Sequence, residues 1–208
     1  MPRIQTRTLN TYYEKAGDGV PVLVLSGTGG DLRKKPSVLD SPLTADFNVI
    51  SYDQRGLGQS EKPRDGYTMA AYAEDAAALM DALEIESAHV LGISFGGMVA
   101  QEFALAYPNR LKRLALFCTS PGGSGGISYP LHELEHLDLE NRAKTMLLLG
   151  DTRIDDDVIK TNPELVKVTM ARLDRSEFAR EDGHARGISG QLSARKAHDC
   201  WARLGHIT

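Results

Sequence analysis

The apolar run AHVLGI (88–93) passes without interruption into GISFGG (92–97), and this junction constrains the fold more than any other feature of the chain. A short run that is apolar on both faces reads as a strand buried from both sides, the kind found where helices cover a mostly parallel sheet. Beyond it, Phe95, Met98, Val99, Phe103 and Leu105 recur at helical spacing until Pro108 stops the pattern. The same alternation runs through the first 118 residues. TYYEK (11–15), VPVLVL (20–25), FNVISY (47–52) and LKRLALFC (111–118) read as strands, and Met69–Leu83 as a helix with Tyr72, Ala76, Leu79 and Leu83 on one face. Gly17, Asp18 and Gly19 predict a hairpin turn that makes the first two strands an antiparallel pair. The fold class is therefore α/β with a mostly parallel sheet.

Past Thr119 the character changes. PGGSGG (121–126) is a flexible joint, and LHELEHLDLENRAKTMLLLG, PELVKVTMARLD and SARKAHDCWARL carry apolar residues three and four apart, as an accessory helical layer does. Two regions are expected, 1–120 and 121–208. The 208 residues, 41% hydrophobic and 25% charged, suffice for one sizeable core and exclude a disordered or fibrous chain. A formal net charge of -4 and a pI of about 5.9 offer no cationic field for nucleic acid or an acidic membrane, which leaves a small molecule as the expected partner. Cys118 and Cys200 stand far apart without CxxC spacing, against a disulfide framework or a structural zinc site. The opening residues MPRIQTRTLN hold no apolar stretch, and no run approaches the roughly 18 apolar residues of a membrane span. A soluble, cytoplasmic protein is expected.

The chemistry lies in Gly92-Ile93-Ser94-Phe95-Gly96, which fits GxSxG at a strand-to-helix turn. A serine on so sharp a turn needs small flanking residues. Gly92 and Gly96 provide the room, and the bend pushes the Ser94 hydroxyl outward. The helix start leaves amides unpaired beside it, so the Phe95 N–H is a candidate donor to a developing oxyanion. The competing role for Ser94 is a plain helix cap. A second glycine cluster, Ser26-Gly27-Thr28-Gly29-Gly30, follows the strand 20–25, and the Thr28 amide is the expected second donor. It is not a phosphate loop: Leu32 takes the last position of GxGxxG, and no Gly-Lys-Ser/Thr follows.

Through the loop at 26–30, DQRGLGQS at 53–60, GISFGG at 92–97 and CTSPGG at 118–123, the chain resembles the α/β hydrolase superfamily in its enol-lactonase and carboxylesterase-like branch. The resemblance implies a serine that attacks an ester or lactone carbonyl, a histidine that shuttles the proton, an acid that orients the histidine, and no cofactor or metal. It also implies that Asp53, Arg55 and Gly58 shape a loop beside the site, with Gly27 next to the nucleophile turn. The region 122–200 resembles the helical cap of these enzymes, which excludes water and selects the acyl group. Ser26 stands where relatives commonly carry histidine. The family continues past the cap with the acid-bearing strand and the histidine loop, whereas this sequence ends at Thr208. The expectation is a fold truncated after the cap, with ARLGHIT as the linker to the next strand.

The six histidines give no clear substitute. His89 opens its strand roughly 16 Å below Ser94, and His132, His136, His184, His198 and His206 fall in the cap-like region. Asp155 with Gly183-His184 mimics an acid and a histidine loop, but the surrounding residues keep helical spacing. His132 and His136 lack a third ligand for a metal. Tyr129, His198, Asp199 and Trp201 either line a pocket or pack the cap. Two functions stay open: a serine hydrolase of esters or lactones, inactive or weak in this form, or a non-catalytic binding or assembly module using the remnant pocket. In either case the strand at 111–118 is an open sheet edge through which self-association is expected.

Overall fold

Alternate residues of VPVLVL and FNVISY point to opposite faces of a sheet, and both faces are covered. Leu23, Leu25, Ile50 and Tyr52 join the main core, while Val22, Val24 and Val49 pack with Val38, Leu39 and Leu43 on the other side. A computed structural model describes residues 3–174, 177–178 and 180–207; Thr208, where the sequence ends, lies outside them. The strands are β1 (Arg3–Gln5), β2 (Asn10–Ala16), β3 (Val20–Leu25), β4 (Phe47–Tyr52), β5 (Ala88–Ile93) and β6 (Leu111–Phe117). Their order in the sheet is β1-β2-β4-β3-β5-β6. The pairs β3–β4, β3–β5 and β5–β6 are parallel, and β1–β2 and β2–β4 are antiparallel.

The expected hairpin is corrected by this order. β2 and β3 do not pair, because β4 lies between them. A glycine-rich turn signals a reversal of direction, not which strand becomes the neighbour. VPVLVL is apolar enough to sit centrally between two parallel partners, and the half-exposed NTYYEKA takes the outer place. Gly17 (φ +79°) and Gly19 (φ +112°) instead carry the chain past the start of β4, where side chains would strike carbonyl oxygens of Thr44, Asp46 and Phe47. The three-residue β1 is too short to show any periodicity in the sequence.

Helices α1 (Met69–Ala82) and α2 (Phe95–Ala106) cover the main-core face, α1 capped by the Thr68 hydroxyl accepting from Ala71 N–H at 3.1 Å. Further on come α3 (Leu139–Gly150), α4 (Asp156–Thr161), α5 (Pro163–Leu173) and α6 (His184–Lys196). Asp138 and Asp155 cap α3 and α4. The chain forms two compact units, one of residues 1–129 with 182–208 and one of 130–181; the division expected from sequence was at 120/121. The second unit is built on Ala143, Ile159 and Val166. α6 belongs to the first, where Gly187 and Gly190 let it approach Gly56 and the Tyr67 ring closely. SARKAHDCWARL is not one helix: α6 ends at Lys196, Asp199 bridges to Gly122, and a 3₁₀ helix runs over Trp201–His206. β6 is an edge strand, with Leu116 42% and Phe117 53% exposed.

Candidate active site

Ser94 occupies the single residue between β5 and α2 and has φ +53° and ψ -114°, a conformation that side chains other than glycine adopt at a cost of order 1–3 kcal/mol. Its backbone is held on both sides: the N–H donates to Phe117 O at 2.8 Å, and the carbonyl accepts from the Thr119 hydroxyl at 2.8 Å. The hydroxyl makes no side-chain cap, so the capping alternative is not realised, and it has no hydrogen-bond partner among the described residues. Gly92 and Gly96 are needed sterically. A Cβ on Gly92 would lie 2.5 Å from Gly96 O and 2.6 Å from Gly97 Cα, and one on Gly96 would strike the Leu25 carbonyl.

The loop after β3 comes directly alongside. A Cβ on Gly27 would lie 3.6 Å from Ser94 Cβ. Gly30 N–H donates to Gly27 O at 3.1 Å, closing a tight turn with Thr28 at its second position. The amides of Thr28 and Phe95 have no partner among the described residues, the former on this turn and the latter at the start of α2. Two unpaired amide donors on the two loops that meet at a free serine hydroxyl are the elements from which an oxyanion site is built. Ser26, in the place of the family's histidine, accepts from Gln54 Nε2 at its carbonyl (2.8 Å) and its hydroxyl (3.2 Å).

The segment 53–60 acts as a brace. The Asp53 carboxylate accepts from Leu32 N–H at 2.7 Å and Gln59 N–H at 2.8 Å, and it lies against Gly58, where any side chain would collide with it. Burial raises its pKa from 3.8 to about 6, although the two amide donors pull the other way. Arg55 makes a buried bidentate pair with Asp75, at 2.7 and 2.8 Å, and reaches Gly66 O at 2.7 Å. Asp53 and Arg55 are thus engaged in holding loops and the first helix. Gln54, Asp75 and Gln191 were not singled out from sequence; the GxxGQ spacing of 187–191 on one helix face is the one signal that could have pointed to Gln191.

The histidines take separate places. His89 stacks edge-on with Phe47 at 6.0 Å, low on β5. His184 opens α6, and Asp155 is engaged in capping α4, so neither sits on a strand or loop of the kind their motif mimicked. His132 lies in a short 3₁₀ turn that ends before His136, which breaks the helical spacing of that pair. Among the described residues no cluster suits a metal ion. His198 is buried, with Nδ1 3.8 Å from Glu102 Oε1 and Nε2 3.7 Å from Cys200 Sγ. This imitates a thiol, base and acid in line. Burial raises the Cys200 thiol to about 11 and lowers the His198 pKa, so both stay neutral near pH 7, and the thiol donates to Gln101 Oε1 at 3.2 Å. A cavity of about 430 Å³ bordered by Tyr67, Met69, Glu102, His198, Asp199 and Arg203 adjoins this cluster and does not include Ser94. Trp201 and Tyr129 are exposed.

A family model described as the alpha/beta hydrolase fold matches residues 20–189, most of the chain. The chain belongs to the α/β hydrolase fold family. It is 35% identical over 151 residues to an uncharacterised protein of Mycobacterium tuberculosis, covering 71% of this chain and 43% of that one. It is 37% identical over 123 residues to the 2-hydroxymuconate semialdehyde hydrolase of Pseudomonas putida, covering 58% and 42%. The solved enol-lactonase of Burkholderia xenovorans LB400 superposes with a TM-score of 0.71 at 26% identity, covering 100% of this chain and 78% of that one. This α/β hydrolase chain thus spans less than half the length of the sequence relatives it matches. No helix among the described residues is long and apolar enough to cross a membrane.

Proposed function

We propose that this α/β hydrolase chain carries the nucleophile and oxyanion site of a serine hydrolase that cleaves carboxylic esters or lactones through an acyl-enzyme on Ser94. The observation that supports this most is the left-handed backbone at Ser94, whose hydroxyl makes no helix cap, with the Phe95 amide next in the chain and the loop that carries Thr28 alongside. In this reading Ser94 Oγ attacks the carbonyl carbon, and the carbonyl oxygen takes negative charge facing the two amides. The Ser94 hydroxyl proton passes by way of water to the alcohol oxygen, which leaves, or stays tethered in the case of a lactone, and a water molecule then cleaves the acyl-serine ester and returns a proton to Ser94 Oγ. The similarity to an enol-lactonase over the whole chain favours an ester or lactone carbonyl. The chemistry needs no bound cofactor, and the two unpaired cysteines fit a reducing cytoplasm.

No histidine of the chain is assigned the role of base, so the reading gives this polypeptide weak turnover, by Ser94 with water accepting its proton in place of a side chain. Slow release of p-nitrophenolate from a short-chain p-nitrophenyl ester, above the buffer rate and lost in Ser94→Ala, is the expected result. Equal rates for the two proteins contradict the reading and leave a non-catalytic binding module in its place.

A further inference from the structure

One amide of the turn 27–30 is held by a side chain. Gly29 stands at its third position with φ +70°, and its N–H donates to Gln191 Oε1 at 2.8 Å. In such a turn the peptide plane between the second and third residues is the part most easily flipped, exchanging an outward N–H for an outward carbonyl, and glycine tolerates either state. An oxygen acceptor at that point admits the N–H and repels the Thr28 carbonyl. Gln191 therefore selects one of the two orientations.

The acceptor is itself firmly placed. Gln191 is fully buried on α6, and α6 is anchored by the close approach of Gly187 to Gly56 and by Arg186, which donates to Pro63 O at 3.1 Å and Lys62 O at 3.2 Å. Elsewhere the segment is held at its ends, by Gln54 on Ser26 O and by Asp53 on Leu32 N–H. Gln191 acts on the turn between them.

We propose that Gln191 is a positioning residue of the oxyanion site: by fixing the Thr28–Gly29 peptide plane it locks the 27–30 turn, and with it the backbone that carries the Thr28 N–H, in a single conformation. It touches none of the reacting atoms. The inference rests on the reading of Ser94 as nucleophile.

The test is the rate at which a fluorophosphonate probe labels the protein, measured over a range of probe concentrations so that the maximal rate and the half-saturating concentration separate. Gln191→Leu, similar in size but without the acceptor, should lower the maximal rate about tenfold or more, since loss of a whole oxyanion donor is worth about a hundredfold or more. The half-saturating concentration should stay within about threefold. Gln191→Glu, which keeps an oxygen opposite the Gly29 amide, should retain more of the rate than Gln191→Leu. If the leucine variant does not melt cooperatively, Gln191→Asn, which withdraws the oxygen by one methylene, is scored by the same criterion. A maximal rate within twofold of the parent, a loss confined to the half-saturating concentration, or a glutamate variant no better than leucine overturns the inference and leaves the hydrolase reading standing. A parent labelled no faster than Ser94→Ala sinks both.

Discussion

Asp53 couples the candidate site to pH. Burial lifts its carboxyl from 3.8 to about 6, so between these values the native state holds a proton that the unfolded chain has released. The stabilisation this gives is fully present below about pH 4 and is lost as pH rises through about 6. Asp53→Asn removes that titration. Urea unfolding should show the parent losing stability relative to the variant between pH 4 and 6, and a difference independent of pH across the window contradicts the assignment. Much at this scale was legible in the sequence. The place of Ser94 on a strand-to-helix turn could be read because a buried strand, a GxSxG pattern and a helix coincide, and the steric demand at Gly92 and Gly96 follows from that junction. Gln191 and Asp75 could not, because their roles depend on partners 162 and 20 positions away and their local context is that of ordinary helix residues.

The elements divide in the same way. Strands β3 to β6 and helices α1 and α2 follow from apolar periodicity, since burial on both faces or on one stripe leaves a strong pattern. Pairing is a different matter: the Gly17–Gly19 turn announces a reversal, but the competition among strands for the central position decides the neighbour, and β4 takes the place beside β2. α6 is not read from sequence, where only its last residues fall in the helical spacing of SARKAHDCWARL; it is seated on the first unit through glycines, whose contribution is close approach and leaves no apolar signal. The edge strand β6 was foreseen. With no strand on its outer side among the described residues and Phe117 53% exposed, it is proposed to mediate self-association. Sedimentation should show concentration-dependent association that Phe117→Lys weakens. A monodisperse monomer at every concentration, with the parent and variant alike, contradicts it.

At the scale of the whole molecule, net charge and composition served to exclude nucleic-acid and membrane partners from the expectations, and the α/β class followed from the rhythm of the first 118 residues. The boundary at residue 120 was placed at the glycine-rich joint, whereas the compact units divide at 129 and 181, because a flexible composition marks where a chain can bend and packing decides which segments return. The second unit has a small apolar core in Ala143, Ile159 and Val166; α3 and α5 lie in segments whose spacing reads as helical, whereas the six-residue α4 is too short to show such a pattern. The claim on which the functional reading depends is that the Ser94 hydroxyl is a reactive nucleophile. It is tested most directly by treating the folded protein with a fluorophosphonate and locating the adduct by intact mass and peptide mapping. The account predicts one adduct, on Ser94, absent from Ser94→Ala and from protein unfolded before exposure; no adduct, or one on another residue that survives in Ser94→Ala, contradicts it.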